Sequence, residues 1–290
     1  MLWGRASEDG WAFEGAPVAD AENVYIAMRH SEAQPQLHVG CFDAQSGELR
    51  WRQFVCAAET PARGMTTEVT GHLLSLQRDT LYYNTNMGVV AALTTGAGRI
   101  RWATLYPRVL EGDMLHPPAH VARDLTPCLY HRGTLLVAPA DAPHILGIDA
   151  ACGQILWRTG SEMSDAVQLL GVAGDRLLAA GGKLYWISLK EGEAGRVKHV
   201  WPEGAEQLGQ GRGALAGDCV LWPTGDKIYV FDAITARPVG QIALAPRRLV
   251  GGNLVPLANG LIVATGNELA VLGSENAQPA RQPEPAREVY

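Results

Sequence analysis

A short apolar strand pattern, Leu or Val followed by an apolar or aromatic residue, returns at Val24, Leu81, Leu135, Leu177, Val220 and Leu261. The separations are 57, 54, 42, 43 and 41 residues, so a unit of about 42 residues is used six times beneath two inserted stretches. A period near this length belongs to four-stranded propeller blades. The third unit shows the pattern best. Thr126–Tyr130 turns at His131-Arg132-Gly133 into Thr134–Ala138; a loop leads to Ile145–Asp149, and a Gly-containing turn leads to Ile155–Arg158. Strands of about five residues bury too little apolar surface alone, so such units must stack on one another. The fold class is therefore all-β: a propeller of about six four-stranded antiparallel blades, either closed as six or forming part of a seven- or eight-bladed ring.

Between the third and fourth strands a tighter signature recurs. Asp43, Gly47 and Trp51 share their spacing with Asp149, Gly153 and Trp157, and Thr94, Gly98 and Trp102 keep it with Thr for Asp. The Asp carboxylate can accept backbone N–H bonds within the turn, while Gly takes the positive-φ position. The Trp then falls on the outer strand, where its ring can wedge against the next blade and its N–H can find an acceptor. The fifth unit keeps Asp232 but carries Gly240 where Trp would stand; the fourth has Ser188 and a longer turn reaching Trp201.

These residues resemble the A-x-D-x-x-T-G-x-x-x-W repeat of the pyrroloquinoline-quinone-like (PQQ-like) β-propeller family, and are similar to the repeat of outer-membrane-assembly lipoproteins. The resemblance covers nearly all of residues 1–273 and implies the propeller fold. Quinoprotein dehydrogenases of that fold carry an adjacent cysteine pair, calcium-binding carboxylates and a tryptophan platform. Here no two cysteines are adjacent, and the motif tryptophans belong to the repeat. No quinone or other cofactor is expected.

The termini bear on closure. Met1-Leu2-Trp3 reads as the end of an outer strand, comparable to Ile155-Leu156-Trp157, and Glu268–Leu272 reads as a third strand without a fourth. An N-terminal segment supplying that strand would fasten a six-bladed ring; otherwise the chain is part of a larger one. Residues 274–290, with Pro279, Pro283 and Pro285 among polar residues, read as a disordered tail.

Composition removes several function classes. Net charge is −6, which excludes a sequence-independent nucleic-acid binder and a polybasic membrane clamp. No stretch of 18 apolar residues occurs, so no helical membrane span is expected. The N-terminus lacks the apolar core of a signal peptide. The chain alone thus reads as cytoplasmic; if it is a fragment of an exported protein, as the resemblance implies, it reads as periplasmic or cell-envelope. The five cysteines, Cys41, Cys56, Cys128, Cys152 and Cys219, show no zinc, redox or haem spacing.

Candidate binding residues fall on the insertions Ala57–Gly71 and Arg108–Asp124, which join outer strands to the next inner strands. Long loops on a rigid scaffold favour recognition. They carry Glu59, Arg63 and Glu68, then Arg123 and Asp124, and Arg212 lies in a glycine-rich connection of the same kind. Such mixed charge suits a polar ligand or a protein; alternatively, Arg123 and Asp124 pair with each other or satisfy loop backbone. His116 and His120 are separated by two prolines and so lack the helical geometry of a metal pair. Gly209–Gly213 lacks the Lys-Ser/Thr of a phosphate loop. Tyr82-Tyr83, Tyr185-Trp186 and Tyr229 read as blade packing on equivalent middle strands, with a sugar platform as the alternative. No catalytic or metal-binding set is expected. The expectation is a non-catalytic scaffold that binds another protein through its loop face, with a degenerate quinoprotein oxidoreductase or a carbohydrate-binding propeller as alternatives.

Overall fold

The computed structural model describes residues 2–31, 34–58, 73–109, 119–160, 163 and 165–273. These form a β-propeller of six antiparallel sheets, five four-stranded and the last three-stranded. Blade one holds β1 (Trp11–Ala19), β2 (Asn23–His30), β3 (Gln36–Asp43) and β4 (Leu49–Ala57). Blade two holds β5 (Leu74–Gln77), β6 (Thr80–Asn84), β7 (Val89–Thr94) and β8 (Ile100–Leu105). Blade three holds β9 (Leu129–His131), β10 (Thr134–Val137), β11 (Leu146–Asp149) and β12 (Ile155–Arg158). Blade four holds β13 (Ala166–Ala173), β14 (Arg176–Gly181), β15 (Leu184–Ser188) and β16 (Val197–Trp201). Blade five holds β17 (Ala214–Ala216), β18 (Cys219–Pro223), β19 (Lys227–Asp232) and β20 (Pro238–Ala243). Blade six holds β21 (Asn253–Leu257), β22 (Gly260–Ala264) and β23 (Leu269–Gly273).

Each blade is a meander whose strands pair in sequence order. First strands of neighbouring blades approach one another, β1 with β5, β9 with β13, β13 with β17 and β17 with β21, which makes them the inner strands. The middle strands read as continuous apolar runs because both of their faces are covered. Tyr83 packs toward blade one while its neighbour Tyr82 packs toward blade three. Leu135 faces blade two and Leu136 faces blade four. Successive strand residues point to opposite faces, so an apolar pair supplies one side chain to each interface.

Five apolar clusters join blades one to two, two to three, three to four, four to five and five to six. Among the described residues no cluster joins blade six to blade one. The N-terminal residues do not form a strand: Leu2–Glu8 carry no sheet pairing, and β23 has no fourth-strand partner among the described residues. The tyrosine reading is also refined. Tyr82 and Tyr83 lie on the second strand of their blade, whereas Tyr185, Trp186 and Tyr229 lie on third strands, so their positions are not equivalent.

Candidate functional site

The repeat turn is built as its residue types require. Asp149 Oδ1 accepts the amides of Ala151 (2.8 Å) and Cys152 (3.0 Å), and the Gly153 amide donates to Asp149 O at 2.8 Å. Asp43 and Asp232 repeat these bonds at Gln45 and Ser46, and at Ile234 and Thr235. The amide donors hold all three carboxyls below the usual carboxylate range. Gly153 adopts φ +80°, and a Cβ there would lie 2.7 Å from the Trp102 ring. The turn is therefore also the seat for the previous blade's indole.

Two of the three motif indoles donate forward. Trp51 Nε1 donates to Thr95 O at 3.0 Å and Trp102 Nε1 to Ala150 O at 3.0 Å. Trp157 packs on Gly195, the end of the longer turn in blade four. At the next interface Trp186, on a third strand, donates to Ala233 O at 3.0 Å, while Trp201 packs its ring on Trp222, Tyr229 and Phe231. Trp3 follows the same rule from the N-terminal segment, donating to Ala44 O at 2.9 Å and covering Gly47. Gly98 likewise seats Trp51. These motif residues all serve blade packing.

The opposite face carries the connections from second to third strands and from outer to inner strands. A buried polar network there was not expected from the sequence. Asp141 accepts from Tyr106 Oη at 2.6 Å, Gly88 N at 2.8 Å and Arg108 Nε at 3.0 Å. Asn86 Oδ1 accepts from Ala140 N and from Asn84 Nδ2, each at 2.9 Å. Burial, with the Asp141 charge beside it, pushes the Tyr106 hydroxyl well above its ordinary pKa, so it stays a neutral donor. The one legible signal was Asp141 standing alone in the apolar run Val137–Pro143.

Arg123 corrects the expectation of a solvent-facing binding residue. It lies in the 3-10 turn Ala119–Leu125 and is fully buried. Its guanidinium donates to the carbonyls of Ala142 and Pro143 (both 3.1 Å), Met163 (2.8 Å) and Ala166. It therefore fastens blade three to the entrance of blade four, satisfying loop backbone. Asp124 follows in the same turn, its side chain outside the described residues. Glu59, Arg63, Glu68 and His116 lie outside them too. Arg212 is half-buried in the connection entering β17; its amide donates to Asn253 Oδ1 at 2.9 Å and its carbonyl accepts from Leu254 N at 2.9 Å. Arg123 and Arg212 thus share a face but stand on different blades.

Beside the Asp141 network an apolar cleft of about 360 Å³ opens between blades two and three, lined by Pro107, Val109, Pro143, His144, Leu156 and Trp157. Leu156 and Val109 stand about half exposed at its edge. Cys41, Cys56 and Cys128 are buried, Cys219 is half-buried and Cys152 is exposed. Burial pushes the Cys128 thiol up to about 12, which removes it as a nucleophile at neutral pH. Among the described residues no group of His, Cys, Asp and Glu is placed to hold a metal ion, and no helix is long and apolar enough to cross a membrane.

A family described as outer membrane protein assembly factor BamB matches residues 35–195, more than half of the chain. No curated protein matches. Among solved structures, BamB from Moraxella catarrhalis aligns over 90% of this chain and 84% of its own, at 15% identity and a TM-score of 0.49. The computationally designed Ika8 protein aligns over 91% and 71%, at 12% identity and 0.58. The quinohemoprotein alcohol dehydrogenase ADHIIG from Pseudomonas putida HK5 aligns over 80% of this chain but 42% of its own, at 12% identity and 0.55. The likeness to the last two shows the fold.

Proposed function

The chain belongs to the PQQ-like propeller family described by the assembly factor BamB, and from that membership we propose that it is a non-catalytic scaffold that binds another protein through its loop face. The observation that supports this reading is the apolar cleft between blades two and three, set where the second insertion leaves blade two. Its floor is held by buried bonds on both sides, Arg108–Asp141 and the Arg123 carbonyl set. A fixed apolar cleft beside a long connection suits the anchor side chain of a protein partner, since anchors gain most when they enter a preformed pocket. The cell envelope is the compartment proposed with it, by analogy with the family's description.

The test replaces Leu156 and Val109 with Asp and compares the proteins captured from a native extract by the parent and the variant. A partner should be lost on substitution, with binding weakened by at least about tenfold. Val239→Asp, at an exposed apolar position on β20 of blade five, serves as the control: it adds the same charge away from the cleft, and capture should persist. Equal capture by the Asp variant would remove the cleft from the reading.

A further inference from the structure

The cleft between blades two and three carries charge of one sign. Among the described residues its lining holds no carboxylate, and the ionisable side chains on it are Tyr106, His144 and Arg158. The Tyr106 hydroxyl is turned to Asp141 at 2.6 Å, and His144 Nδ1 donates to Thr159 O at 2.8 Å, so both are engaged within the fold. Arg158 is different. It is exposed at the end of β12 and its side chain makes no ion pair among the described residues, whereas Arg108, the other guanidinium beside the cleft, is held by Asp141 at 3.0 Å. Register sets where the Arg158 side chain goes. Arg158 pairs opposite Leu146, and Leu146 belongs to the apolar cluster shared by blades two and three. Directly opposed residues of an antiparallel pair share a face, so this guanidinium leaves β12 on the cleft side. Leu156, 51% exposed, stands beside it on the same rim.

Building on the scaffold reading above, we propose that the partner segment entering this cleft is acidic as well as apolar. One apolar side chain fills the space between Pro107, Val109, Pro143 and Leu156, and a carboxylate close to it in the partner's sequence pairs with Arg158. The apolar side chain supplies the driving force through the area it removes from water. The uncompensated guanidinium at the rim supplies the choice between partners. Covering it without an acceptor costs its desolvation, and covering it with a second cation adds repulsion. Its planar donors match both oxygens of a carboxylate, which a single neutral acceptor cannot do. The chain's net charge of −6 does not reverse this preference. At physiological salt, charges more than about 8 Å away are largely screened, and within the lining the balance is positive. The occupant is therefore a stretch of another protein in which Asp or Glu stands next to Leu or an aromatic residue.

Fluorescence anisotropy on the full chain tests the pairing with two labelled peptides, one of Asp alternating with Leu and one in which Lys replaces every Asp. The Asp–Leu peptide should bind the parent at least about tenfold more tightly than the Lys–Leu peptide. Arg158→Glu, at an exposed position, should leave the unfolding midpoint unchanged and reverse that preference, while Arg158→Gln should remove it. Leu156→Ser should weaken the Asp–Leu peptide, and binding indifferent to that change overturns the proposal. A parent chain that binds both peptides equally, or neither, overturns it too, as does a preference that survives in Arg158→Glu. In those cases the scaffold reading still stands if the Asp substitutions at Leu156 and Val109 lose the captured protein; equal capture removes the cleft itself. A mass of two chains in light scattering that Arg158→Glu abolishes would make the occupant a second copy and likewise overturn the proposal.

Discussion

At the scale of single residues, the chemistry divides into positions that serve a turn and positions that serve a distant partner. Asp149 and Gly153 act within one turn, so their roles followed from spacing alone. Asp141 acts across blades: Gly88, Tyr106 and Arg108 all come from the previous unit, 33 to 53 positions away. Nothing local marks such a partner. Arg123 stayed open between binding and satisfying loop backbone for the same reason, because the carbonyls that decide it belong to Ala142, Pro143 and Met163, 19 to 40 positions away. His38 gives a residue-scale prediction. Burial first, then the charges of Arg52 and His30, lower its pKa to about 4 from 6.5. The folded ring stays neutral while the unfolded one takes a proton, so stability should fall as pH drops from about 6.5 to about 4. Water still reaches the ring, so the loss should be on the order of 1 kcal/mol. Urea midpoints across that window should flatten in His38→Gln; identical slopes would refute it.

At the scale of elements, the interface between an outer strand and the next turn is one mechanical unit. Trp102 supplies a ring and a donor; blade three supplies the Ala150 carbonyl and the bare Cα of Gly153. Trp102→Phe should cost about 1 kcal/mol for the lost hydrogen bond, and Trp102→Ala about 3 to 5 kcal/mol. Gly153→Ala should cost about 2 kcal/mol, from positive-φ strain and from a methyl 2.7 Å from the ring. In the double Ala variant the methyl enters the space left by the indole. The combined loss should therefore fall short of the sum by at least about 0.5 kcal/mol; strict additivity in denaturant unfolding would separate the two residues. This unit was legible wherever Asp or Thr, Gly and Trp kept their spacing. Blade four escaped it, because its turn is longer and the N–H donor moved to Trp186 on a neighbouring strand.

At the scale of the whole molecule, the six units and their strand order were legible because each unit repeats local rules, whereas closure was not, because it depends on surfaces some 260 residues apart. Among the described residues blades two to five share apolar clusters with a neighbour on both faces, whereas the outer face of blade six leaves Leu269 and Val271 exposed. Opening should therefore begin at blade six. Hydrogen exchange at low protein concentration should show β21–β23 exchanging much faster than β6, β10 and β14, and uniform protection across all six sheets would mean that the ring behaves as a single closed unit. The forward reach of the indoles has a further consequence. Trp3, Trp51, Trp102, Trp157 and Trp186 each dock on the blade that follows in the chain and never on the one before. Through blade four the array consequently has a grain: each blade is a socket on one side and a plug on the other. A duplicated unit of about 42 residues, copied in phase, would bring its own plug and its own socket and disturb no existing joint, so lineages of such chains can lengthen or shorten by whole blades while partial copies are rejected.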